Sequence, residues 1–398
     1  MKNIITILLF TLFLVSCTDP YKLQTNTFDE ALVVEATITN EMKRQEIKVS
    51  KTYRLEEEGP TLISDANVTV TDDIGNSYDF TFEDGKYLSN TEFQAVHGRS
   101  YSLNITTAEG RSYSSTTETL TTASPITNVT ATSEVVNNEK GVQIRVSSYD
   151  PTGTSKYYRY RYDETYKIIA PMWADKFVML SHDLQVGYSI YDYIQIHPRT
   201  TEAQVCFSTQ SSDKIIVATT SDLSEDRIDN FPVRFISAKD PIIMHRYSIN
   251  VVQYVQSFAS YTFYKTLAQM AGTGGNILSQ NQPGFFSGNI FSDNNPDEKV
   301  IGFFEVSSVS EQRIFFNFQD LLTGELPPDY FVDCEPVTLN ANDFAPNGSK
   351  EGVILRSNID AGTLLYYEHS GSLYTMVPKE CGDCTTFSSN IVPSFWID

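Results

Sequence analysis

Basic side chains are scarce in this chain: 29 Lys and Arg stand against 50 Asp and Glu, a formal net charge of −21. A field of that sign repels nucleic acid and anionic lipid head groups, so nucleic acid is excluded as a partner. Histidine is rarer still, with five residues at 97, 182, 197, 245 and 369, and none lies near another at metal-ligand spacing. GxSxG, HExxH and GxxxxGK[ST] are all absent. That removes the hydrolase elbow, the zinc-protease helix and the phosphate loop. No stretch reaches the roughly 20 apolar residues that a bilayer-spanning helix needs. No cofactor and no metal are expected. Aromatics, by contrast, are plentiful: 24 Phe and 23 Tyr exceed what a disordered chain carries, so a sizeable folded core is expected.

The first residues have the three parts of a secretory signal. Lys2 supplies charge, Ile4 to Val15 form a short apolar run, and Ser16 is a small residue before a cut. Leu14-Val15-Ser16-Cys17 adds a lipobox, at which bacteria acylate the cysteine thiol and cleave just before it. Cys17 is therefore the expected lipidation site, and several acyl chains on one residue anchor stably. The expected organisation is a signal peptide over 1–16, then lipidated Cys17 and a flexible tether over 17–29, polar and without periodicity.

Five cysteines less Cys17 leave Cys206, Cys334, Cys381 and Cys384, an even number in a secreted chain. Two disulfides are expected, and the three possible pairings stay open. Cys381-Gly382-Asp383-Cys384 also has the CxxC spacing of half a zinc site or a redox pair. A second pair at matching spacing is missing for zinc, and a redox motif opens a helix in an α/β domain, whereas this one sits in a turn-rich segment.

From Ala31 the pattern becomes β. "ALVVEATIT", "QEIKVSKTY", "ANVTVTDD", "NSYDFTFEDGKYLS" and "RSYSLNITTAEGRSYSSTTETL" alternate apolar and polar positions with period two. Between them fall Asp73-Ile74-Gly75-Asn76, Glu83-Asp84-Gly85 and Glu109-Gly110, residues that tolerate the positive φ of hairpin turns. The fold class expected is mainly β: an amino-terminal immunoglobulin-like β-sandwich over 30–123, then a larger antiparallel β domain over 124–398 with one inserted amphipathic helix. "GVQIRVSSYD" and "KYYRYRYDETYKI" read as a paired hairpin, with Tyr158, Tyr160 and Tyr162 on one face and Tyr157, Arg159 and Arg161 on the other. The Tyr face is either core or a stacking surface for sugar or peptide.

The helix is read near 257–271, where Phe258, Tyr261, Tyr264, Leu267, Ala268 and Ala271 recur at three- and four-residue spacing. Ser257 or Ser260 suits its cap and Gly272 its stop. The glycines that follow are at the wrong end of the helix to hold phosphate. "GFFEVSSVS" and "RIFFNF" then read as strands bracketing a polar turn, and after Leu326-Pro327-Pro328 the chain reads as loop-rich, stapled by the last cysteines. Asp293-Asn294-Asn295-Pro296-Asp297-Glu298 offers calcium-like oxygens but lacks an EF-hand glycine, so an acidic surface turn is the simpler reading. With fifty acidic residues, carboxylate pairs at glycosidase spacing arise by chance.

Several segments together resemble a known family. The lipobox, "LVVEATIT", "SDKIIVATTSDLSEDRI", "RYSINVVQYVQSFASYTFYKTL", "GNIFSDNNPDEKVIGFFEVSSVSEQRIFF" and "CGDCTTFSSNIVPSFW" resemble, in this order, the Bacteroidota outer-membrane lipoproteins of domain-of-unknown-function family 4249. Many members carry Trp in the helix where this chain has Tyr264, which keeps the face aromatic. The resemblance implies a lipoprotein whose gene commonly lies beside one for a TonB-dependent transporter of the starch-utilisation type, and it supplies no catalytic residues. The expected role is non-enzymatic: an accessory or ligand-binding partner of such a transporter, lipid-anchored in the outer membrane at the cell surface. The rivals are a secreted glycan- or peptide-acting hydrolase and a structural adhesin. Candidate contact residues are Tyr158, Tyr160, Tyr162, Trp173, Phe285 and Phe286, with Phe291 near them.

Overall fold

The computed structural model describes residues 30–53, 59–181, 194–272, 288–343 and 350–398. It is mainly β, as expected, and its amino-terminal half is built by alternation. In the strand Leu32–Thr39, Leu32, Val34, Ala36 and Ile38 are buried while Glu35 faces solvent, the period of two that a sheet with one covered face requires. Antiparallel pairing then carries the sheet through Glu46–Lys51, Lys86–Ser89, Ser77–Glu83, Asn67–Asp72, Ser100–Thr106 and Ser112–Ser115. Asp84 and Gly85 turn one hairpin with φ of 48° and 82°, which is why Asp-Gly stands there. Inside lies a core that includes Ile38, Ile47, Val68, Tyr101, Leu103 and Phe304.

Phe304 shows that residues 30–123 do not complete this unit. The strand Val300–Asn317 lies parallel to Leu32–Thr39, from Leu32 opposite Val300 to Thr39 opposite Ser307. At the other end of the sheet, Ile290–Ser292 pairs with Ser112–Ser115. The sheet curls until these ends meet: the Asn289 amide donates to the Phe304 carbonyl at 2.9 Å and accepts from its N–H at 2.7 Å. Glycine is required at the crossing, because a Cβ on Gly288 would lie 1.5 Å from the Gly302 carbonyl oxygen and one on Gly302 2.2 Å from that of Val34.

Val300–Asn317 is one strand of 18 residues, so the expected polar turn within it does not exist. Instead the strand changes partner. After Ser307 it leaves Leu32–Thr39, and from Ser308 it pairs antiparallel with Arg246–Val255. The Ser310-Glu311-Gln312 run that resembled a turn is strand whose polar groups are used: Ser310 accepts the Ile126 N–H at 2.9 Å, and Glu311 accepts from the Asn250 amide at 2.8 Å.

Beyond Arg246–Val255 the same sheet continues into Tyr157–Ile169 and Val205–Ser211. A separate sheet of Ile126–Val136, Glu139–Tyr149 and Arg227–Ser237 supplies partners for its core face. The expected hairpin between Glu139–Tyr149 and Tyr157–Ile169 is therefore corrected: the two strands belong to different sheets. Asp150 organises the turn between them, accepting from the N–H groups of Thr152, Thr154 and Ser155 at 2.8, 3.1 and 2.9 Å. Val142, Ile144 and Val146 then share one core with Tyr158, Tyr160 and Tyr162.

The helix Phe258–Gly272 covers the junction. Ser257 caps it, accepting the Ser260 N–H at 3.2 Å. Its covered side is not quite the expected one: Tyr261 and Phe263 are buried, whereas Phe258 is 65% exposed. Phe263 meets Phe303 of the long strand with ring centroids 5.6 Å apart, and Tyr261 meets Tyr157 at 5.0 Å, so the helix spans both halves. Beneath it the buried Glu305 carboxylate accepts from Ser260 Oγ at 2.7 Å, from the Gln256 amide at 3.1 Å and from the Ser307 hydroxyl. Arg159 reaches the same carboxylate at 3.3 and 3.4 Å. Its guanidinium is also flanked by Tyr254 and Tyr264, 4.3 and 4.4 Å from the ring centroids.

Residues after 328 are not loop-rich. Val337–Asn340, Leu364–Ser370 and Leu373–Pro378 form a three-stranded sheet with the helix Glu351–Ala361 against it. This second helix ends where Gly362 takes φ of 60°, the left-handed position that favours glycine. Both disulfides are formed: Cys206–Cys384 staples the segment to the second sheet, and Cys334–Cys381 closes a loop within the segment itself.

Replacing Arg159 with Met leaves Glu305 buried without its cation and is expected to cost about 3–5 kcal/mol in urea unfolding. Replacing both residues with apolar ones of similar volume should recover most of that loss. A single-substitution cost below about 1 kcal/mol, the range of exposed pairs, would show that the pair is screened rather than buried.

Candidate functional site

The described residues enclose a cleft of about 260 Å³ where the amino-terminal strand begins. Its position follows from local chain geometry. Ala31 and Thr52 tie two strand ends together, the Ala31 N–H donating to Thr52 Oγ1 at 3.0 Å and the Thr52 N–H to the Ala31 carbonyl at 2.9 Å. Thr61–Leu62 adds a two-residue strand beside Ser50 and Lys51. Opposite, the turn 107–111 closes with the Thr107 N–H on the Arg111 carbonyl at 2.9 Å, and Gly110 takes φ of 82°. Leu32 and Ile63 give the cleft buried apolar wall, while Leu62 at its rim is 47% exposed.

Charge is unevenly distributed over this surface. Glu30, Asp65, Glu109 and Glu298 line it against Lys51 and Arg111. Lys51 pairs with Glu30 at 3.2 Å, and Arg111 bridges Glu109 at 3.2 Å and Glu298 at 3.3 Å. Among the described residues, Asp65 has no cation within ion-pair distance. Glu298 is the best-held carboxylate: it accepts from Tyr113 Oη at 2.7 Å and from Ser292 Oγ at 2.8 Å. Burial pushes its pKa up, but those two hydrogen bonds and Arg111 outweigh burial and hold it below the ordinary carboxylate value. The Tyr113 hydroxyl is pushed up to about 12, first by burial and then by Glu298.

The acidic run is accounted for by this arrangement. Asn294 Oδ1 accepts the Ser112 N–H at 2.6 Å, Asp293 accepts from Ser114 Oγ at 2.5 Å, and Asn295 Oδ1 accepts the Asp297 N–H at 3.2 Å. These oxygens dock a turn onto the neighbouring strand. Among the described residues no three His, Cys, Asp or Glu side chains converge as a metal site would.

The expected contact residues are not assembled here. Tyr158, Tyr160 and Tyr162 are buried in the second core, so the structure removes them as a stacking surface. Their hydroxyls are used internally: Tyr158 Oη donates to Asp226 at 2.9 Å and Tyr160 Oη to Gln253 at 3.1 Å. Trp173 packs half-buried against the same core. Phe291 is 49% exposed in its short strand, and Cys17, Phe285 and Phe286 lie outside the described residues. Sequence reasoning passed over Arg111 and Tyr113. Their only signal was position, Arg111 just after the Glu109-Gly110 turn and Tyr113 on the inward side of the next strand.

A family model described as a domain of unknown function, DUF4249, matches residues 18–313. The chain belongs to this family. Within the DUF4249 match lie the cleft, the capping helix, the pairing that curls the first sheet and most of the second core, whose Phe316, Phe318, Leu322 and Cys384 come after it. The match stops inside the long strand, so the carboxy-terminal sheet and "CGDCTTFSSNIVPSFW" fall beyond it. No curated protein matches the sequence.

Because the folded-state pKa of Glu298 is lowered, its carboxylate stabilises the fold above the unfolded value, near 4.5, and that contribution is lost as pH falls through the folded value. Glu298→Gln should therefore narrow its stability difference from the native protein below pH 4.5. Thermal melts at stepped pH check this, and a difference that is flat or widens on acidification would contradict it.

Proposed function

We propose that this DUF4249-family protein is a non-enzymatic lipoprotein, anchored in the outer membrane through Cys17 and acting as the accessory partner of a TonB-dependent transporter in nutrient uptake. The observation that carries the reading is the short distance in sequence between the lipobox cysteine and the cleft. Glu30 lines the cleft and stands thirteen residues after Cys17. At roughly 3.3–3.6 Å per extended residue, no more than about 45 Å of chain separates lipid from cleft. The cleft is thereby confined to a layer next to the bilayer, where its effective concentration at a membrane partner is high without a large interface.

The family supports the same reading, since what it implies is a lipoprotein made beside a transporter. The chemistry of the cleft fits recognition: its strongest carboxylate, Glu298, is occupied by Tyr113, Ser292 and Arg111 in a holding role.

Mild-detergent purification of the native lipoprotein from its own outer membrane tests the proposal, with mass spectrometry of what accompanies it. A TonB-dependent transporter at stoichiometric amount is expected, and Cys17→Ser should abolish both acylation and that association. A lipoprotein that emerges alone overturns the transporter reading.

A further inference from the structure

We infer that the cleft receives an extended peptide segment that inserts one lysine or arginine side chain, and, resting on the reading above, that this segment belongs to the transporter. Three observations converge on that occupant. The first is size: about 260 Å³ falls short of the roughly 300–1,000 Å³ typical of whole small-molecule sites and suits one long side chain.

The second is the order of chemistry around the cleft. Leu32 and Ile63 offer a buried apolar wall to an aliphatic stem, and four carboxylates line the same cleft to receive a terminal cation. Asp65 has no cation of its own among the described residues. Among the described residues Glu109 has only Arg111, which is 54% exposed and shared with Glu298. An incoming cation gains Asp65 outright and replaces Arg111 on Glu109, while Arg111 keeps Glu298. An incoming anion would face four carboxylates and displace two formed ion pairs.

The third is backbone. Thr61 and Leu62 are both exposed and, among the described residues, pair on one side only, with Lys51 and Ser50. Among the described residues no strand pairs with their outward N–H and C=O groups, an edge beside the cleft that an extended chain can join. Free lysine or a polyamine would use the charges and leave that edge and Leu62 uncovered, so a peptide is the occupant that uses all three features.

The test uses the full lipoprotein in detergent with two fluorescent hexapeptides, Gly-Thr-Leu-Arg-Val-Gly and the same peptide with Glu in place of Arg, read by anisotropy. The Arg peptide should bind at least tenfold more tightly than the Glu peptide, and rising salt should weaken it. Asp65→Lys with Glu109→Lys, both exposed positions, should lower its affinity by tenfold or more while the circular dichroism spectrum stays unchanged. Equal binding of the two peptides, no binding of either, or binding unaffected by the double substitution would overturn the inference. Repeating the native purification with the double variant separates this inference from the reading it rests on. Transporter retained by the native protein and lost from the variant supports both. Transporter retained by both proteins overturns the cleft inference and leaves the accessory role standing. No transporter with either overturns the accessory role, and the peptide measurement then decides the cleft alone.

Discussion

One strand changing partner between Ser307 and Ser308 holds this molecule together. Before that point it closes the amino-terminal sheet, and after it the same backbone carries the second sheet. A strand covered on both faces cannot alternate freely, which is why Gly302 to Ser308 reads as a continuous run of small and apolar residues around one acid. That acid is Glu305, 1% exposed, and desolvating a carboxylate so fully is tolerable only with dense compensation. Compensation comes from every element that meets there: Ser307 from the strand, Gln256 and Ser260 from the helix start, and Arg159 from the second sheet. Burial alone would lower the pKa of Arg159, yet Glu305 and the flanking Tyr264 and Tyr254 raise it, so the cation is retained. A buried pair of this kind adds little net stability over an apolar one and instead fixes which surfaces meet.

This division of labour separates structure from recognition. The buried pair joins the halves, and the aromatic wealth of the sequence is largely spent inside them, as Tyr158, Tyr160, Tyr247 and Phe304 show. The cleft beside Glu30 is built differently, from strand ends, a turn and the docked acidic turn, and its cations are held by exposed or half-exposed pairs. Such pairs exchange partners at little cost. A surface whose charges rearrange easily suits reversible contact with a partner, as the proposed function requires.

Much of this was legible in the sequence, and what was not shares one cause. Period-two alternation located strands such as Leu32–Thr39 and Ser100–Thr106 because each has one buried face, and it missed Thr61–Leu62, which has none. It reports faces, however, not neighbours. Val142, Ile144 and Val146 alternate in the same way whether their strand pairs beside Tyr157–Ile169 or lies in a different sheet, so the hairpin reading failed. The long strand was cut in two because Ser310, Glu311 and Gln312 resemble a turn when their cross-strand partners are unseen. The second helix escaped for another reason: Val353 and Ile354 are exposed while Gly352 and Leu355 are its buried positions, so apolar spacing misreports its inner face. Arg159 and Glu305, 146 residues apart, carry no local signal at all.

Native-state hydrogen exchange in the protein tests most directly whether the long strand makes one cooperative body of two halves. Amides of Val68 and Val70 report on the first core, and those of Ile249 and Val251 on the second. The account predicts that the slowest of them open with the same free energy in both halves, and that Arg159→Met lowers both by the same amount. Distinct opening energies, with the substitution felt in the second half alone, would contradict it.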